Sequence, residues 1–425
     1  MLVDDSFDAK LRTCVVPESR VGTELLSQTD AELAARLSLA AANAPGQLVG
    51  QVVDALSGEV IWQQDADQDM TPASNMKLLT ALAVVSALGV DATFSTRAVL
   101  NPDGTVTLVG GGDPMLVSEP DTRLYGLTQP GSLRSLAEAT AAELWERDVT
   151  SVTLNWDESL LGPAEPNPLW FLVPGWSDMV LPPSSLWVDK QLYRGSYSYS
   201  SRYDAEEATA VFAEYLRDAG ITVPHTYQPV TASTEAQRLA SMQSLPLREI
   251  VRVMLQYSDN SYAELLGRHL ALAFGNPPTI AGVNETLTAW LTRHGLWREG
   301  TLILDSSGMV SESKVSPEVF AATIHWAVTS GRPELHQVLR SLPSADEGTL
   351  TSHFVDAPDV AGRLRAKSGT HGDSTGEVSA LSGYAVDWTG RVLAFSFIIN
   401  HSLASHDDTA YALDVVVGVL PQCDT

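Results

Sequence analysis

The stretch Ser74-Asn-Met-Lys-Leu-Leu-Thr-Ala-Leu-Ala-Val-Val-Ser-Ala-Leu-Gly89 decides how the rest of the chain is read. Beyond its first turn it is apolar or small almost throughout, and a glycine ends it, which predicts a helix buried on most sides. Such a helix has no wet face, so other elements of a core domain must surround it. Its first turn carries a hydroxyl and an amine three residues apart. That spacing puts Ser74 and Lys77 on one face, about one turn apart, with the amine in reach of the hydroxyl. Free serine is a poor nucleophile, and a lysine takes its proton only where burial or a nearby cation lowers the amine's pKa toward neutrality. The helix start also supplies unpaired N–H groups, one of which, at Ser74, can stabilise an oxyanion. The competing reading is a helix-capping serine with a snorkelling lysine. The spacing alone is weakly informative, because Ser311-Glu-Ser-Lys314 repeats it. That second copy follows Ser306-Ser-Gly308, leads into no apolar helix and meets Pro317, so it is read as incidental.

Two further motifs stand downstream. Ser258-Asp-Asn260 breaks a helical register with small polar groups in apolar surroundings, where unpaired groups are costly and partners are expected. Read as chemistry, Ser258 relays a proton to a leaving amine, Asn260 holds Lys77 and a substrate amide, and Asp259 points away. Read as structure, the three are a solvated turn between helices. Lys367-Ser-Gly-Thr370 closes a strand-like run. There a glycine lets another backbone come close, the lysine faces a carboxylate, and an extended peptide can add to the strand edge. A strand N–H at Thr370 then provides a second oxyanion donor. The alternative is a strand end with a surface lysine. Together the three motifs outline a serine acyl-transfer site.

Around them the pattern predicts an α/β, more closely α+β, architecture. Residues 29–44 read as an opening helix, and residues 47–55 and 59–64 as a hairpin turning at Leu56-Ser-Gly58. Two strands turn at Pro102-Asp-Gly104, a strand falls at 149–156, and helices fall at 133–147 and 204–220. Residues 363–368, 378–386 and 391–400 read as a terminal sheet, followed by a helix at 410–420. One catalytic domain is expected from both ends of the chain, residues 1–91 and 242–425, with an α+β domain, residues 92–241, inserted in it.

Composition narrows the partners. The 425 residues are 44% hydrophobic and 18% charged, enough for a large core and too apolar for disorder. With 26 basic against 52 acidic residues the formal net charge is −26, which repels nucleic acid and anionic lipid, so both are set aside. The two cysteines, Cys14 and Cys423, have no metal-ligand spacing; they either clasp the termini or are two buried free thiols. No transmembrane run is present, and the opening Met1-Leu-Val-Asp-Asp-Ser6 lacks a signal-peptide pattern, so a leader is read as absent or already removed.

With these motifs on the page, the chain resembles the serine DD-peptidases among penicillin-binding proteins, specifically the low-molecular-mass D-alanyl-D-alanine carboxypeptidase/endopeptidase group. Besides the three motifs, Pro72-Ala-Ser-Asn-Met-Lys-Leu78, Gly111-Gly-Asp-Pro114, Pro174-Gly-Trp176, Asp305-Ser-Ser-Gly308, Gly348-Thr-Leu350 and Leu381-Ser-Gly-Tyr384 are similar to that group. The resemblance implies a transpeptidase-like fold of the penicillin-binding-protein and β-lactamase type, an antiparallel sheet with flanking helices. It implies peptidoglycan stem peptides and β-lactams as partners, no metal or organic cofactor, and an extracytoplasmic, secreted or wall-associated location. It also implies Ser74 as nucleophile, Lys77 as base, Ser258 as relay, Asn260 for positioning and Lys367 as carboxylate anchor, with Ser368, Gly369 and Thr370 binding substrate.

Two departures bear on specificity. A small domain carried by longer relatives is reduced here to a short tract near Gly195-Ser-Tyr-Ser-Tyr-Ser200. The arginine that grips the diaminopimelate carboxylate in some relatives falls, by count, at Ser311. A peptide without that carboxylate, with lysine or ornithine at its third position, is therefore expected, with Asp178 as partner for its amine. Two alternatives stay open: a β-lactamase, whose first two motifs would lie much closer together, and a non-catalytic penicillin-sensing or wall-binding module.

Overall fold

A computed structural model describes residues 30–172, 179–189, 205–357, 360–373 and 376–422. The chain forms two compact units. The first takes in the described residues up to Ala87, then Val251–Ala263 and those from Asn284 on; the second is Leu88–Ile250 with Glu264–Val283.

The first unit is built on a five-stranded sheet in the order Val60–Gln64, Gln47–Asp54, Val392–Ser402, Gly376–Val386, Leu364–Asp373. Every pairing in it is antiparallel. The first two strands turn at Gly58, whose φ of +77° is costly for any other residue. Gly376–Val386 and Val392–Ser402 are buried nearly along their length, because helices cover both faces. On one face Leu48, Val52, Leu381, Phe395 and Phe397 pack with Leu37 of helix Asp30–Ala41 and Val416 of helix His406–Val417. On the other lie helix Pro317–Thr329 and the turn that carries Ser74. Arg391 pins the arrangement by pairing with Asp30 and Asp54.

The second unit holds a four-stranded sheet, ordered Leu154–Asp157, Val106–Val109, Ser95–Leu100, Gln237–Gln243. Helices Leu133–Glu146 and Ala205–Asp218 pack with it around Leu108, Leu136, Phe212 and Leu216. Two buried titratable groups meet at its loop of glycines, Asp113 on the loop and His269 on the helix Asn260–Ala273. Asp113 accepts from the Met115 amide at 2.8 Å, and desolvation pushes its pKa up to about 7. His269 stacks on Phe94 and reaches the Gly112 carbonyl at 2.9 Å; burial lowers its pKa to about 4.

The antiparallel sheet with flanking helices is the fold the family resemblance implied, with shifted ends and some elements unforeseen. The third-motif strand runs on to Asp373, beyond the predicted residue 368, because its ladder with the neighbouring strand continues through the motif. Residues 149–156 give only a short strand from Leu154, and Thr222 makes a single bridge to Ser151. Strand Gln237–Gln243 and helices Ile280–Arg293 and Pro333–Arg340 add to the elements expected from the sequence.

Candidate active site

Pro72 leads into a 3-10 turn, Ala73–Asn75, and the α-helix Met76–Leu88 follows at once. Ser74 therefore sits in the tight turn, two residues before the α-helix whose first turn the sequence assigned to it. Residues three apart across this junction share a face, which puts the Lys77 amine in reach of Ser74. Two backbones crowd this turn. A Cβ on Gly308 would lie 1.8 Å from the Ala73 carbonyl oxygen, and one on Gly369 would lie 3.0 Å from the Ser74 nitrogen. Ala73 itself is held at φ +47°, a conformation that persists only where surroundings enforce it.

Lys77 is fully buried, and its Nζ donates to Ser74 Oγ at 2.8 Å, Asn260 Oδ1 at 2.6 Å and the Ser307 carbonyl at 2.7 Å. An ammonium has three protons, and these acceptors match them one for one. The Ser307 carbonyl is set by Asp305, whose carboxylate gathers the Gly308 and Val310 amides and the Ser307 hydroxyl. Burial raises the Asp305 pKa, and the positive charge of Lys77 pulls it back. Thr80 Oγ1 donates to the Ser306 carbonyl and ties the same loop to the motif helix.

Ser258 is half-buried at the break between helices Leu247–Tyr257 and Asn260–Ala273, with φ +55°. Asp259 accepts from the Tyr262 amide at 3.0 Å, so its carboxylate caps the second helix. The break thus hands Asn260 to Lys77, two residues after Ser258.

Leu364–Asp373 is an edge strand of the sheet. The Ala366 amide points off that edge, donating to the Pro343 carbonyl at 3.0 Å. Ladder geometry alternates, so the amides of Ser368 and Thr370 point the same way. Gly369 packs against Ser74, which brings the nucleophile's own amide to this edge. Lys367 is fully buried and donates to the Ser368 carbonyl at 2.7 Å. Burial and the charge of Lys77 depress its pKa well below the usual lysine range. The exposed side chain of the motif is Thr370, while Ser368 is half-buried and donates to Thr349 Oγ1 at 2.8 Å.

Of the specificity residues, Ser311 is half-buried, its hydroxyl donating to Glu312 and its carbonyl accepting from Thr71 Oγ1. Lys314 Nζ donates to Thr71 Oγ1 at 2.8 Å, so both ends of the second S-x-x-K copy bond elsewhere. Asp178, Pro174-Gly-Trp176, Cys14 and Cys423 lie outside the described residues. Sequence reasoning left Asp305, Ser307, Thr349 and Asn75 without a role. Asn75 Nδ2 donates to Ser382 Oγ at 2.6 Å, and Ser382 and Ser396 share a further bond at 2.8 Å, tying the Ser74 turn to the sheet. The Asp305-Ser-Ser-Gly308 and Gly348-Thr-Leu350 tripwires were visible as motifs, without a spacing rule to say what they touch.

Among the described residues no helix is long and apolar enough to cross a membrane. A carboxypeptidase of Mycobacterium tuberculosis is 32% identical over 374 residues, covering 84% of this chain and 77% of the relative. The D-alanyl-D-alanine carboxypeptidase of an Actinomadura species is 25% identical, covering 86% and 81%. The crystal structure of penicillin binding protein 4 from Haemophilus influenzae superposes with a TM-score of 0.70 at 18% identity, over 90% of this chain and 97% of that one, which speaks for the fold. The model of the D-Ala-D-Ala carboxypeptidase 3 (S13) family matches residues 31–196 and 188–419, ranges that take in all three motifs. On that match, and on the mycobacterial relative that shares most of its length, the chain belongs to the D-Ala-D-Ala carboxypeptidase 3 (S13) family.

Proposed function

We propose that this protein is a serine D-Ala-D-Ala carboxypeptidase that processes peptidoglycan stem peptides outside the cytoplasm, through an acyl-enzyme on Ser74. The observation that carries the reading is the buried Lys77 amine, held 2.8 Å from Ser74 Oγ by Asn260 and the Ser307 carbonyl. In its neutral form that amine takes the Ser74 proton as Oγ attacks the carbonyl of the penultimate D-alanine. The peptide lies along the edge strand, and the oxyanion is received between the amides of Ser74 and Thr370. Ser258 passes the proton to the leaving D-alanine nitrogen. The C–N bond breaks, D-alanine departs, and water then attacks the ester carbonyl, restoring the Ser74 hydroxyl. Buried Lys367 contributes a positive field toward the terminal carboxylate.

A penicillin presents a strained amide beside a carboxylate and acylates the same serine. A crosslinked peptide also ends in an amide of D-alanine, so endopeptidase cleavage follows from the same chemistry with a larger leaving amine. For the third residue of the stem peptide, the absence of an arginine at Ser311 supports lysine or ornithine over diaminopimelate, with Asp178 as partner for the amine.

The test is D-alanine release from a stem pentapeptide by purified protein, beside digestion of crosslinked muropeptides and hydrolysis of penicillin. D-Alanine release with slow penicillin turnover is the expected pattern. Rapid, repeated penicillin hydrolysis without peptide cleavage would make it a β-lactamase, and neither activity would leave a sensing or binding module.

A further inference from the structure

The loop Pro343–Thr351 runs along the open edge of the third-motif strand. The Pro343 carbonyl accepts from the Ala366 amide, and Ser344 bridges to Arg365. Glu347 pairs with Arg365 at 3.1 Å and accepts from Gln256 Nε2 at 3.4 Å. Gly348, at φ +54°, lies so close to Gln256 that a Cβ would stand 2.4 Å from its carbonyl oxygen. This loop is thus pinned both to the third-motif strand and to the helix end that leads into Ser258. It presents one hydroxyl at that junction, Thr349 Oγ1, which accepts the Ser368 proton at 2.8 Å and is half-buried.

The donor count then matters. Lys367 Nζ is buried against the Ser368 carbonyl, and the Ser368 proton is given to Thr349. Beside the exposed Thr370, the hydroxyl proton left to face an incoming anion is that of Thr349, made more acidic by the bond it accepts. We propose that Thr349 is a substrate-binding residue, donating to the terminal carboxylate of the peptide, with Ser368 as its supporting donor. This rests on the carboxypeptidase reading above and adds to it the residue that distinguishes a free carboxylate end from a blocked one.

The experiment compares D-alanine release from an N-acylated peptide ending in D-Ala-D-Ala with D-alaninamide release from the same peptide ending in an amide. The ratio of the two kcat/KM values does not depend on how much of a variant is folded. Thr349→Val is expected to lower that ratio about tenfold, the size of one charge-assisted hydrogen bond, mostly through KM. Thr349→Ser, which keeps the hydroxyl, is expected to restore it. An unchanged ratio in Thr349→Val, or a Thr349→Ser variant as impaired as the valine one, would overturn the assignment while leaving the carboxypeptidase reading intact. A wild-type protein that cleaves neither peptide would instead defeat the carboxypeptidase reading, and this assignment with it.

Discussion

Asn260 Oδ1 lies 2.6 Å from Lys77 Nζ, although 183 residues separate the two in sequence. The contact fixes the amine over Ser74 and also fixes its chemistry, because an amide oxygen attracts the ammonium without the full charge that would lock the proton on. Asn260→Ala is expected to lower kcat/KM for a D-Ala-D-Ala peptide about 100-fold or more, with about 1–3 kcal/mol lost from stability. Asn260→Asp keeps the acceptor in place but sets a carboxylate against the amine, holding the lysine protonated, so activity falls at least as far while the fold is retained. Steady-state kinetics on both variants check this. Full activity in Asn260→Asp would show that the contact serves packing alone.

Gly308 and Gly369 press on the Ser74 turn from two sides, and they are expected to fail differently. Gly308→Ala puts a methyl into the Ala73 carbonyl at φ +79°, where no side chain is comfortable. Its cost is expected to be about 2 kcal/mol or more in denaturant unfolding. Gly369→Ala meets the Ser74 nitrogen at 3.0 Å with ordinary backbone angles. Stability should change by less than about 1 kcal/mol while the rate of Ser74 acylation falls about tenfold or more, since small displacements at a reacting group are costly. Equal losses of stability in the two variants would contradict this division.

Much of this site was legible before any coordinates. Ser74, Lys77 and Asn260 each sat in a motif whose spacing or composition implied the contacts the structure makes between them. The parts that were not legible share one physical feature: they act through backbone or through hydroxyls paired across long separations. The Ser307 carbonyl reaches Lys77 only because Asp305 folds its loop, and nothing in residue type marks a carbonyl as a ligand. The Asn75, Ser382 and Ser396 chain joins a turn to two central strands, where serine reads as a weak position in an apolar run. The start of the motif helix was misread for a similar reason. An apolar run gives the period of a helix but not the steric crowding by distant glycines that accompanies the 3-10 turn at its first residues.

The second unit carries a pH prediction with a definite sign. Asp113 has its pKa raised by burial from the ordinary 3.8 to about 7 in the folded chain, so its contribution to stability is fully present below about pH 4 and is lost as pH rises through 7. His269 has its folded pKa lowered to about 4 from 6.5, so stability is lost as pH falls from 6.5 toward 4. Asp113→Asn keeps an oxygen for the Met115 amide and cannot ionise. It is expected to raise stability at pH 8 by a few kcal/mol at most, to do little at pH 4, and to flatten the decline in stability between about pH 4 and pH 7. Chemical denaturation from pH 4 to pH 9 reads this directly, and an Asp113→Asn profile parallel to wild type would refute it.

The central claim is that Ser74, and not the serine of the repeated motif at Ser311, is the residue that is acylated. Incubation with a penicillin, followed by intact-mass measurement and peptide mapping, tests it most directly. A single adduct on Ser74 is expected, abolished in Ser74→Ala together with D-alanine release and retained in Ser311→Ala. An adduct on any other residue, or D-alanine release that survives Ser74→Ala, would contradict it.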